Sequence, residues 1–128
     1  SKGLRPLHFA AEGGYVEVQE VLLARRADVH AIEERSRKTV LMFACMYGYS
    51  QSAKCFLDHI ARTEGAEAES AMMTVRNKYK ETALMLASRF GHLNVVRLLL
   101  SRAGMGGLRE EMQSGSFGKS GSGSRKTD

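Results

Sequence analysis

The chain of 128 residues is 43% hydrophobic and 26% charged with a formal charge of +5, the balance of one domain with a modest core. Its longest apolar runs, such as Val21-Leu22-Leu23 and Leu98-Leu99-Leu100, fall far short of the roughly 20 residues of a membrane span. No basic start followed by an apolar stretch marks a signal peptide, and one proline and no tryptophan disfavour a many-stranded sheet with its Pro- and Gly-rich turns.

The charge excess is mild. Residues 1–104 hold 15 basic and 11 acidic side chains, and residues 105–128 hold 4 and 3. That permits an acidic partner surface but lacks the dense basic stripe of a nucleic-acid binder. Cys45 and Cys55 are the only cysteines, too few for a disulfide framework, and their apolar neighbours suit small buried thiols. A reducing, intracellular home, the cytoplasm by preference, is expected. The chain starts at Ser1 inside a repeat and reads as a piece of something longer.

Three segments align with one another. The first runs Arg5-Pro6-Leu7-His8-Phe9-Ala10-Ala11, Gly14-Tyr15 and Val21-Leu22-Leu23. The second runs Thr39-Val40-Leu41-Met42-Phe43-Ala44-Cys45, Gly48-Tyr49 and Cys55-Phe56-Leu57. The third runs Thr82-Ala83-Leu84-Met85-Leu86-Ala87-Ser88, Gly91-His92 and Leu98-Leu99-Leu100. Nine residues separate the first position from the glycine in every segment, and seven more lead to the apolar triplet. The segments begin 34 and then 43 residues apart, so the second interval carries an insertion of about ten residues over a period near 33.

Each segment predicts two helices. Pro6 falls at the start of the first, where its missing N–H costs nothing. Thr82 is an N-cap whose hydroxyl can accept from a free backbone N–H, and its helix runs to Gly91, a natural stop. A second helix follows over roughly 93–102, with Val95, Val96, Leu98, Leu99 and Leu100 as its apolar face. The insertion, near 62–74, is rich in Ala and Glu and favours helix; it either extends the helix before it or forms a short extra one. Its Glu64, Glu67 and Glu69 read as a solvated spacer ahead of an acidic contact point. From Ser114 onward the Gly/Ser composition is that of a flexible linker.

These residues resemble the ankyrin repeat, whose pattern runs G-x-T-P-L-H-x-A-A, G-H, V-V-x-L-L-L, G-A-D-V-N. Gly3, Pro6-Leu7-His8, Ala10-Ala11, Gly14, Leu22-Leu23 and Ala27-Asp28-Val29 carry the resemblance in the first repeat. Thr82, Leu84, Ala87, Gly91-His92, Val95-Val96 and Leu98-Leu99-Leu100 carry it in the third; the looser second keeps Thr39, Leu41, Ala44, Gly48 and Leu57. The resemblance implies an all-α solenoid of three stacked helix-turn-helix units with β-turn fingers, over residues 1–104 (about 1–34, 35–76 and 77–104), followed by a tail at 105–128. Two departures stand out. No repeat has both the Thr and the His that brace the turn in the family, and Arg26, Arg37 and Lys80 replace family glycines, at a cost if those sites need positive φ.

Such stacks offer an extended concave face and no deep pocket. By resemblance, partners meet the fingers and the exposed face of each first helix. The matching positions are Arg35, Ser36 and Lys38, then Lys78, Tyr79 and Glu81, on the fingers. On the first helices they are Glu12 and Gly13, Met46 and Tyr47, and Arg89 and Phe90. Arg35, Lys38, Met46, Tyr47, Lys78, Tyr79, Arg89 and Phe90 form the expected partner-binding set, mixing the aromatic, Met and Arg types enriched at interface centres.

Chemistry of other kinds finds little support. Cys55 and His59 stand four apart, but two ligands do not make a zinc site. The other histidines fall on repeat positions. No Ser-His-Asp order, paired carboxylates or phosphate loop is present, and Gly104, Gly106 and Gly107 follow a helix instead of a strand. The chain therefore reads as a protein-interaction module without catalysis, cofactor, metal or small-molecule substrate. The alternative is a regulatory or scaffolding segment of an enzyme, such as a kinase, whose catalytic domain lies elsewhere. Nucleic acid is disfavoured as a partner. The outer faces of the end repeats are expected to carry interior-type residues such as Leu98 and Leu99 instead of a polar cap, leaving the array marginal or self-associating.

Overall fold

The structure, a computed structural model, describes residues 5–103; the Gly/Ser-rich tail lies outside them. Helices follow in the order α1 (Pro6–Gly13), α2 (Val16–Ala24), α3 (Val40–Met46), α4 (Ser50–Glu64), α5 (Ala66–Thr74), α6 (Ala83–Arg89) and α7 (Leu93–Ala103). Among the described residues the one β feature is an isolated bridge between Ile32 and Thr39.

Local chemistry explains where the helices start and stop. Thr39 Oγ1 accepts the Met42 N–H at 3.1 Å and Thr82 Oγ1 the Met85 N–H at 3.2 Å, so the hydroxyls expected as caps satisfy otherwise free donors. Gly14 ends α1 in the left-handed region at φ 71°, as an αL C-cap requires. The first helices stack in one layer, α1 on α3 on α6, and the second helices in another, α2 on α4 on α7. Between the layers lies one core built from Leu7, Leu41, Phe56, Leu57, Ile60, Leu86 and Leu99 with their neighbours.

The layers are also keyed residue to residue. A Cβ on Gly14 would lie 2.6 Å from the Tyr49 ring, and one on Gly48 would lie 2.5 Å from the His92 ring. Tyr49 and His92 hold equivalent places, so each repeat lays a ring over the glycine of the repeat before it. His92 Nε2 also meets the Met46 carbonyl at 2.9 Å. Deeper, Gln19 of α2 and Ser52 of α4 are fully buried and bonded to each other, with Gln19 Nε2 donating to the Ser52 carbonyl at 3.3 Å.

The insertion does both things expected of it: α4 is prolonged to 15 residues and α5 is added. It is not a solvated spacer. Met72 and Met73 of α5 enter the core, and Glu69 is buried. Glu69 Oε2 accepts from Arg102 Nε at 2.7 Å, while Arg102 Nη1 reaches Asp58 Oδ1 at 2.5 Å. One guanidinium thus ties α7 to α4 and α5.

A second correction concerns the ends. Leu99 is buried and Leu98 half-buried, because α7 turns that side inward. Among the described residues the large apolar side chains other than tyrosine left exposed are Phe9, Val18 and Val21 on the first repeat and Phe90 and Leu93 on the third. The places matching Phe9 and Val18 are buried in the later repeats, as Phe43 and Ser52, then Leu86 and Val95.

Arg26, Arg37 and Lys80 do adopt positive φ, at 69°, 60° and 65°. Arg26 follows the end of α2, its N–H donating to the Leu23 carbonyl, and a cation there complements the helix dipole. The left-handed region costs a side-chain-bearing residue roughly 1–2 kcal/mol, partly offset by the extra freedom glycine has when unfolded. Arg26→Gly is expected to raise stability by roughly 0.5–1 kcal/mol in urea denaturation; a loss would mean its charge outweighs its strain.

Candidate functional site

The finger between α2 and α3 is closed by Glu33. Its carboxylate accepts from the Arg35 N–H at 3.1 Å, the Ser36 N–H at 2.8 Å and the Ser36 hydroxyl at 2.6 Å. The Ser36 hydrogen bonds, above all, bring its pKa down to about 2. In the finger before α6, Asn77 does the same work: Oδ1 accepts from the Tyr79 and Glu81 N–H groups at 2.8 and 2.9 Å. The two fingers lie side by side, joined by the Lys78 N–H donating to the Ser36 carbonyl at 2.8 Å.

Every expected site residue except Lys38 and Met46 is exposed; these two are half-buried. Tyr47 and Phe90 are the C-caps of α3 and α6, equivalent places on stacked helices, with 42% and 44% of their surface exposed. Three cations lie over aromatic rings: Lys38 over Phe43 at 5.9 Å, Lys78 over Tyr79 at 5.8 Å and Arg89 over Phe90 at 4.7 Å. Arg89 also pairs with Glu81 at 3.0 Å, linking the finger before α6 to the end of α6. Partial burial, and after it the negative charge of Glu12, raise the Tyr47 pKa. Lys78 and Arg89 keep the exposed Tyr79 and Phe90 rings oriented at the surface, an arrangement worth about 0.5–1 kcal/mol per pair at exposed sites, whereas Lys38 covers the buried Phe43.

His8 shows how the first repeat is braced without its Thr. Nδ1 accepts the Arg5 N–H at 3.2 Å, the ring packs edge-on against Phe43 at 5.5 Å, and the side chain is sealed from solvent. Burial lowers its pKa below 6.5, against the opposing pull of the Ala31 carbonyl and the Glu33 charge. The folded state therefore binds fewer protons there than the unfolded state, so stability falls as pH drops below about 6.5. The melting temperature should decline over that range, and His8→Met, which installs the residue found at Met42 and Met85, should flatten the decline. An unchanged slope would exclude His8 as its source.

Away from the fingers, a shallow groove of about 300 Å³ is lined by Glu20, Leu23, Cys55, Asp58, His59 and Arg62 among others. Cys55 is half-buried here, not sealed in the core, and burial raises its thiol pKa; Cys45 is fully buried and its thiol lies far above the ordinary range for the same reason. Among the described residues no group of three or more His, Cys, Asp or Glu could hold a metal ion, and no helix is long and apolar enough to cross a membrane. The surface contributions of Arg37, Lys80 and Arg76 lie beyond the expected site set. In the sequence the first two stand out only as conformational costs, through the family glycines they replace.

Comparison with known proteins agrees with this architecture. A family model of ankyrin repeats, three copies, matches residues 7–107. The chain is 36% identical over 101 residues to the ankyrin repeat and KH domain-containing protein mask-1 of Caenorhabditis elegans, covering 78% of this chain and 4% of that protein. It is 32% identical over 96 residues to the E3 ubiquitin-protein ligase XBAT33 of Arabidopsis thaliana, covering 75% of this chain and 17% of the ligase. The chain thus spans a small part of the relatives it matches. Among solved structures, a chain in the crystal structure of the yeast ribosomal protein Rps3 in complex with its chaperone Yar1 superposes with a TM-score of 0.68. It is 27% identical, with 73% of this chain and 65% of that one covered. Three tandem helix pairs, the later two with Thr caps, together with lapped glycines and paired fingers and matched over most of the chain by the family's own model, make this chain a member of the ankyrin repeat family, a protein-interaction module.

Proposed function

We propose that this module holds its partner protein on the face formed by the two described fingers and the C-terminal ends of the first helices, with Tyr47, Tyr79 and Phe90 as anchors and Arg89 as their charged companion. Arg35, Lys38, Met46 and Lys78 complete the contact, and a partner with acidic character suits their charge. The module acts within a larger protein and carries no catalysis of its own. The observation that supports this is that Tyr47 and Phe90 hold equivalent exposed positions on stacked helices, with Tyr79 exposed on the adjoining finger and the Tyr79 and Phe90 rings each held by a cation. Rigid aromatics bury much area at small entropic cost, and truncating such an anchor often costs about 2 kcal/mol or more of binding.

A partner recovered by affinity capture on the full chain provides the assay. The double substitution Tyr47→Ala and Phe90→Ala should weaken its binding by roughly 30-fold or more with the helical signal and melting temperature nearly unchanged. Unfolding would make the two rings structural, and unchanged binding would move the contact off this face.

A further inference from the structure

We propose that the stacked fingers form a cationic ladder that reads an extended acidic protein segment, one anionic side chain per finger. This deepens, and rests on, the reading of the finger face as a partner surface. Residues 33–38 and 76–81 hold six cations, Arg35, Arg37, Lys38, Arg76, Lys78 and Lys80, against three carboxylates. Two of those carboxylates are engaged within the fingers: Glu33 is folded into its own turn, and Glu81 meets Asn77 and Arg89. Among the described residues none of Arg35, Arg37, Lys78 and Lys80 lies within ion-pair reach of a carboxylate.

Conformation strengthens the case. Arg37 and Lys80 occupy the same place in successive fingers, two residues before the Thr caps, and both hold the left-handed backbone that glycine would adopt without cost. Unlike Arg26, neither has a helix C-terminus to serve. Strain kept at an exposed turn points to a use for the side chain. The Lys78–Ser36 backbone bond fixes one finger against the next, so the two cations are presented at a set interval. Stacked helices lie about 8–10 Å apart and an extended chain advances about 3.3–3.6 Å per residue. Carboxylates three residues apart on a strand-like segment therefore match the ladder.

The test uses the full chain and two labelled peptides of equal composition. One carries Glu at every third position between Gly and Ser; the other carries the same Glu residues in one block. The spaced peptide should bind several-fold tighter at low salt, with amide shifts confined to Arg35–Lys38 and Lys78–Glu81. Arg37→Gly and Lys80→Gly should each weaken it about threefold while raising the melting temperature. Arg26→Gly should raise the melting temperature and leave binding unchanged, and Arg37→Lys should retain binding. Equal affinity for both peptides, equal weakening by Arg26→Gly, or tighter binding of a single-stranded oligonucleotide would each overturn the ladder. Should the peptides fail while the Tyr47 and Phe90 changes still weaken the captured partner, the ladder falls and the partner face stands. The opposite pattern removes the aromatic face and keeps the fingers.

Discussion

Truncating Phe56 to Ala should lower the unfolding free energy by about 3–5 kcal/mol, and Leu99→Ala by about 2–5 kcal/mol. Both side chains are sealed from solvent, and Phe56 sits in α4, which packs against α2, α3, α5 and α7. No single neighbour can move to refill its space. Domains of this kind are stable by only about 5–15 kcal/mol, so Phe56→Ala removes a large fraction of the total. Urea denaturation followed by circular dichroism measures it. A loss below about 1 kcal/mol would mean the core collapses around the cavity or that α4 is more loosely packed than its burial indicates. The exposed Tyr47 and Phe90 provide the contrast, since their truncation belongs to binding.

The second large effect is at Arg102. It bridges Asp58 and Glu69 with its side chain only 22% exposed and the Glu69 side chain 10% exposed. Removing one partner of a buried pair costs about 3–5 kcal/mol, chiefly because the other charge stays behind. Partial exposure and salt screening reduce that to about 2 kcal/mol for Arg102→Ala. Burial works against ionisation of Asp58, but hydrogen bonds from Lys54 and Arg102 outweigh it and hold its pKa below 3.8. Its share of the stability is thus present above about pH 3.8 and is lost as pH falls below. Arg102→Met with Glu69→Leu should recover most of the loss, because the more deeply buried carboxylate is gone and Asp58 keeps its pair with Lys54. If the single change costs less than about 0.5 kcal/mol, the network behaves as an ordinary surface pair and α5 is held by Met72 and Met73 alone.

These two sites mark where the sequence was legible and where it was not. Helix starts could be read because capping is local: Thr39 and Thr82 each bond a backbone N–H three positions on. The positive φ at Arg26, Arg37 and Lys80 was equally local, since the family pattern names the glycine each replaces. The role of the insertion was hidden because Ala and Glu report helix propensity alone. That Glu69 meets Arg102, 33 positions later, depends on how α5 folds back onto α7. Leu98 and Leu99 were placed on an outer face for a related reason. Neighbouring residues of a helix are about 100° apart, so a small error in its rotation exchanges inside for outside. The finger and helix-end positions followed from the repeat register, whereas the engagement of Glu33 and Glu81, which leaves the finger cations in excess, required coordinates.

The rings of Tyr49 and His92 also set the order in which the array comes apart. Each ring belongs to the later repeat and rests on the glycine of the earlier one, like tiles laid in one direction. Lifting the third repeat pulls His92 from Gly48 and must also break the Arg102 bridge to α4 and α5. Lifting the first repeat breaks the Tyr49 overlap, the Gln19–Ser52 bonds, the His8–Phe43 ring contact, the exposed His30–Glu64 pair and the helix packing beneath them. With Phe9, Val18 and Val21 facing solvent on its far side, the α1–α2 pair is the weakest tile. Cooperative opening therefore begins at that end and travels toward α7, and the two described fingers, both carried by the later repeats, stay paired while it does.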